Sequence, residues 1–119
     1  MPQRIQRRRT RGWKMPEGVV YVGRPTKWGN PWTVAWSKEQ GLIRDGFHEY
    51  ACFENFKAWL TWTDEHREKY PKTCEIWLYE ERRAELLKHL HELRGKDLAC
   101  YCGPEDSCHA DVLLEIANR

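Results

Sequence analysis

The sequence predicts an α/β fold: a small single-domain Rossmann-like sandwich with a short, mostly parallel sheet flanked by helices. Three observations predict it. Two short apolar runs, residues 19–22 and 98–102, lie far apart in the chain, with helical patterns between and after them. That separation is long enough for a crossover, so the two runs are expected as parallel neighbours. A length of 119 residues suits one modest core and is short for two. The expected division is a basic N-terminal arm or edge strand over 1–14 and a single α/β domain over 15–119.

The elements follow in order. Residues 3–9 alternate weakly, as a strand with few inward side chains would, and Gly12, Pro16 and Gly18 mark a turn region. Val19, Val20, Tyr21 and Val22 are β-branched or aromatic between two glycines, the clearest strand of the N-terminal half. Residues 23–31 hold two prolines and two glycines and read as a loop. Residues 32–36 are expected as a short strand and 41–46 as a connection. Over 47–63 Cys52, Phe53, Phe56, Trp59, Leu60 and Thr63 recur at helical spacing. Residues 64–72 are charged and are expected as a linker. In 73–93 the start is ambiguous, because Cys74, Ile76 and Leu78 alternate like a strand. Leu86, Leu87, Leu90 and Leu93 are helical, and Gly95 closes that helix. Residues 98–102 are expected as a buried strand, and 108–118 as a helix burying Val112, Leu113 and Ile116.

Net charge is +2 but unevenly placed. Arg4, Arg7, Arg8, Arg9, Arg11 and Lys14 bring six positive charges and no acid to residues 1–14, leaving 14 basic against 18 acidic side chains in the rest. Such an arm suits a polyanion, a nucleic acid or a nucleotide, and equally a solvated strand. Arg4, Arg7, Arg8, Arg9 and Arg11 are therefore the nucleic-acid candidates. Five cysteines, the absence of a secretory pattern and the lack of an apolar membrane span point to free thiols and a cytoplasmic location. Most of the seven tryptophans are expected to fill the core.

Chemistry concentrates in residues 100–109, where Cys100, Cys102, Cys108 and His109 sit where a strand hands over to a helix. Three readings stay open. In the first, all four are metal ligands, zinc being the familiar partner of three sulfurs and a nitrogen. Against it, helical neighbours Cys108 and His109 would diverge by about 100°, so the first turn must be irregular for both to reach one ion. In the second, Cys108 or Cys100 is a thiolate nucleophile, His109 its base, and Asp111 either a capping-box acid or the group that orients His109. In the third, the cysteines are small buried core residues. The loop is the second constellation. Gly23 and Gly29 allow close backbone approach, Arg24 and Lys27 supply charge, Trp28 can stack on a base and Asn30 can read a polar edge. Its structural alternative is a surface turn with Trp28 and Trp32 in the core. Parallel strands would set the loop and the Cys/His turn at one sheet edge, in one cleft.

Both constellations together resemble a known family. Residues 21–31, Tyr-Val-Gly-Arg-Pro-Thr-Lys-Trp-Gly-Asn-Pro, are similar to the opening motif of domain-of-unknown-function family 4326. Residues 93–102 with Cys108-His109-Ala110-Asp111-Val112-Leu113 are similar to its ending. Tyr101 stands where the family usually has Trp, Trp32 where it has Phe, and Pro25 where Gly is common; the segment 64–80 looks longer than in typical members. The resemblance implies an intracellular bacterial or phage protein and brings no established activity. The ending is also similar to domain-of-unknown-function family 488, which keeps the first Cys and the Cys-His but has Glu at the position of Cys102. The functional expectation is an enzyme directed at a nucleotide or nucleic acid through the Cys/His site beside the basic Gly/Trp loop. The alternative is a non-catalytic, metal-stabilised nucleic-acid-binding or interaction module.

Overall fold

The computed structural model describes residues 2–41, 46–103 and 105–119, so most of the connection expected at 41–46 lies outside the described residues. The chain forms two units: Met1–Gly29 together with His89–Arg119, and Asn30–Lys88.

In the first unit the strands β1 (Arg4–Gln6), β2 (Val20–Tyr21) and β3 (Leu98–Cys100) pair, among the described residues, as a parallel sheet in the order β1-β3-β2. The expected α/β class and the parallel pairing of the two apolar runs are both found. Leu98, Ala99 and Cys100 are all buried, as a strand paired on both edges requires. Among the described residues strand β1 pairs on one side only, and its polar Arg4 and Gln6 suit an edge. Register sets Gln6 opposite Cys100 and Tyr21 opposite Ala99. Strand β3 stops at Cys100, two residues short of expectation, because residues 101–102 bend away. The C-terminal helix (His109–Ala117) packs on β3 and β1 and buries Val112, Leu113 and Ile116. Each such side chain contributes roughly 1.5–3 kcal/mol of burial energy.

The second unit corrects three expectations. Residues 32–36 are not a strand but lead into helix α1 (Val34–Gln40). Thr33 is extended and its Oγ accepts the Trp36 N–H at 3.0 Å, while Gly41 closes the helix at φ 66°. A capping hydroxyl thus outweighs aromatic strand preference. Helix α2 (His48–Thr61) fills most of the expected span and buries Cys52, Phe56, Trp59 and Leu60. The expected linker opens with a short helix α3 (Asp64–Arg67), again capped by a threonine, Thr63, whose Oγ accepts the His66 N–H at 3.1 Å. The alternation at Cys74, Ile76 and Leu78 is a 3₁₀ turn (Glu75–Trp77), with no strand to pair with among the described residues. Helix α4 (Glu80–His89) follows and runs into a 3₁₀ turn (Leu90–Leu93); the C-terminal helix is therefore α5. Of the seven tryptophans, Trp28, Trp32 and Trp59 are buried and the other four are half-buried, so the core takes fewer than expected. Around Trp32, the rings of Trp36, Trp59 and Tyr79 meet edge-on. No helix among the described residues is long and apolar enough to cross a membrane.

Candidate metal centre

Strand β3 carries Cys100 to the C-terminal edge of the sheet, buried, as its last residue. The chain then bends, and the sulfur of Cys102 lies 3.8 Å from that of Cys100. A tight turn follows: the Gly103 N–H donates to Asp106 Oδ2 at 2.9 Å and the Asp106 N–H to the Gly103 carbonyl at 3.1 Å. It returns the chain to Cys108, which is the N-cap of α5 and not part of its first turn. At φ −133° and ψ 139° Cys108 is extended, so the divergence of helical neighbours does not apply. Its sulfur lies 3.7 Å from His109 Nδ1. The three sulfurs all lie within 4.8 Å of one another, and all five cysteines are unbridged.

His109 is oriented from its far side. Its Nε2 is 2.7 Å from the Val22 carbonyl, which can only accept, so Nε2 carries the proton and the Nδ1 lone pair of the neutral ring faces the sulfurs. A second-sphere carbonyl of this kind is how ligating imidazoles are usually fixed. Two donor pairs, Cys100 with Cys102 at 3.8 Å and Cys108 with His109 at 3.7 Å, match the edges of a tetrahedral ion. Bonds of about 2.3 Å to sulfur and about 2.05 Å to nitrogen give edges of roughly 3.8 Å between sulfurs and roughly 3.6 Å between sulfur and nitrogen. Cys100, Cys102 and Cys108 could therefore hold a metal ion, with the His109 ring beside them.

Without an ion the group is strongly polarised. Burial opposes protonation of His109, but hydrogen bonding to Cys100 and Cys108 prevails, raising its pKa to about 10. Hydrogen bonds from Cys102 and Cys108 stabilise a thiolate at Cys100, whose pKa falls. Hydrogen bonding to Cys100 and Cys108 keeps Cys102 protonated. Arg4, across the sheet on β1, hydrogen-bonds Cys108, donates to the Gly103 carbonyl at 3.1 Å and lies 3.4 Å from the Asp111 carboxylate. Asp111 thus faces Arg4. Val22 fills the role of orienting His109, and Cys108 accepts no capping bond through its side chain.

Strand β2 feeds the loop directly into this site, since the carbonyl holding His109 belongs to the residue before Gly23. Most of the loop's polar groups are engaged locally. Lys27 pairs with Glu92 at 3.2 Å, and Trp28 is buried beneath the Lys27 ammonium. Asn30, in the second unit, donates to the Cys52 carbonyl and accepts the Trp32 N–H. A Cβ on Gly23 would strike the Tyr21 ring, and one on Gly29 would come within 2.9 Å of the Arg24 side chain. Arg24 is exposed. In the arm, Arg8, Arg9 and Arg11 are exposed and Arg4 and Arg7 half-buried. The sequence reading missed Tyr21 and Tyr101. The guanidinium of Arg7 lies 4.4 Å from the Tyr21 ring and 5.3 Å from the Tyr101 ring, and that of Arg9 lies 4.6 Å from Tyr101. One signal was present: a residue between two inward cysteines of a strand end must point outward.

A family model described as a domain of unknown function (DUF4326) matches residues 5–119. No curated protein and no solved structure matches the chain.

Proposed function

The chain belongs to the DUF4326 family of domains of unknown function, and for it we propose a metal-stabilised module that engages nucleic acid, with zinc held by Cys100, Cys102, Cys108 and His109. The observation that carries this reading is the donor spacing, 3.8 Å between Cys100 and Cys102 and 3.7 Å between Cys108 and His109, with Val22 fixing the ring. With His109 as the fourth donor beside the three-cysteine group, no coordination position is left open, which is the pattern of a structural rather than a catalytic zinc. Three thiolates and one dication make a centre of net charge −1, and Arg4 against Cys108 offsets it. The acid-free arm beside this centre supplies the attraction for a polyanion.

Elemental analysis of purified protein tests the metal: about one equivalent of zinc is expected, lost in Cys108→Ser, and less than about 0.2 equivalents overturns the reading. A second reading, thiol chemistry on a nucleotide, is favoured by the Cys100 thiolate facing a protonated His109. Here Cys100 or Cys108 is the nucleophile and His109 the acid–base partner, beside Arg24 of the loop. Alkylation kinetics separate the two. A metal-bound site reacts slowly until a chelator is added, whereas a free thiolate reacts at once and across acidic pH.

A further inference from the structure

Beside the candidate centre, on its outward side, two tyrosines and two arginines meet. Tyr21 ends β2 and Tyr101 follows β3, their rings 5.9 Å apart at 76°. Arg7, whose N–H donates to the Cys100 carbonyl at 2.7 Å, lays its guanidinium against both rings, and Arg9 covers Tyr101 from the arm. Tyr101 remains 37% exposed, a large aromatic left on the surface between two buried or half-buried cysteines. Arg8 and Arg11 are exposed alongside, and the first acid of the chain is Glu17.

We propose that Tyr21, Tyr101, Arg7 and Arg9 form a stacking platform for the bases of a single-stranded nucleic acid, with Arg8 and Arg11 on its phosphates. This rests on the nucleic-acid reading above and narrows it. Aromatic and guanidinium planes bind any base through its face, which a single strand offers and an intact duplex keeps within its own stack. The nearest acids are turned to other partners: Asp111 faces Arg4, Asp97 accepts from the Gln3 N–H and Asp106 from the Gly103 N–H. The Tyr101 ring is held in place by the Tyr21 edge and by the Arg7 and Arg9 guanidinium groups, an ordering that lowers the cost of stacking.

Fluorescence anisotropy of the full chain tests it, with three labelled probes of equal length: oligothymidylate, its abasic counterpart, and a duplex. Oligothymidylate should bind best, exceeding the abasic strand by roughly fivefold to a hundredfold. Tyr101→Ala should erase that margin, and Tyr101→Phe should keep it. Arg8→Gln should weaken the binding of all strands and flatten the salt dependence for single strands by about 0.7 in slope. Equal affinity for the abasic strand, or preference for the duplex, overturns the platform while leaving nucleic-acid binding intact. Absence of salt-sensitive binding to all three probes overturns both. The comparison of oligothymidylate with the abasic strand uses the unaltered protein, so it decides even if Tyr101→Ala fails to fold.

Discussion

At the scale of single residues, His109 concentrates the most chemistry. Its ring is buried, tied at Nε2 to Val22, and set among sulfurs that favour its protonated form. A raised folded-state pKa stabilises the metal-free protein fully below the ordinary histidine value of about 6.5, and that contribution is lost as pH rises through about 10. The lowered pKa of Cys100 contributes with the opposite sign up to the ordinary thiol value of about 8.5, so melting temperatures of metal-free protein should hold level from about 6.5 to about 8.5 and decline from there towards 10, and His109→Gln should weaken that decline. Metal must displace protons from His109 and the thiols, so zinc affinity should rise with pH over the same range. A competition titration with a chromophoric chelator at several pH values measures it; affinity independent of pH would contradict the ligand assignment. Arg67 is a second buried charge, one that no motif signals. It is held by the Ile76 carbonyl and by Glu80, with Trp77 across its face.

At the scale of elements, capping decided more than composition. The 32–36 segment is rich in strand-forming side chains, yet Thr33 opens a helix there because its hydroxyl satisfies the Trp36 N–H. Thr33→Ala should cost about 1 kcal/mol of stability in denaturant unfolding, and Thr33→Ser close to none. No loss in the alanine variant would mean that packing of Trp32 and Trp36 alone holds α1. The same logic explains Cys108. As an extended N-cap its side chain leaves the helical spiral and meets His109, an arrangement that the helical wheel excludes. In the core, Leu113→Ala should cost about 2–5 kcal/mol, since the side chain is fully buried in the face of α5 that packs on β3.

At the scale of the whole molecule, the metal reading makes a regional prediction. All four donors lie in the Met1–Gly29 and His89–Arg119 unit. Chelation should therefore speed amide hydrogen exchange in β3 and at the start of α5, with little effect on α2 of the Asn30–Lys88 unit, as followed by mass spectrometry. Uniform acceleration along the chain would show that the centre does not act locally. The architecture was largely legible beforehand. Two apolar runs separated by a long helical stretch imply parallel strands, and the stripe of Val112, Leu113 and Ile116 implies a helix against them. The 73–78 alternation misled because period-two spacing also fits a 3₁₀ turn and carries no information on whether a partner strand exists.

What the sequence determined by itself was the parallel α/β class, the gathering of sulfur and imidazole at one strand end, and the charge of the arm, because periodicity and composition are local properties. Tertiary structure alone decided how those groups face one another. It set Val22 behind His109, turned Asp111 to Arg4, tied Lys27 to Glu92, and brought Arg7 over two tyrosines 80 residues apart in the chain. Contacts of that kind depend on strand register and on the path of a loop, which no spacing of residue types encodes.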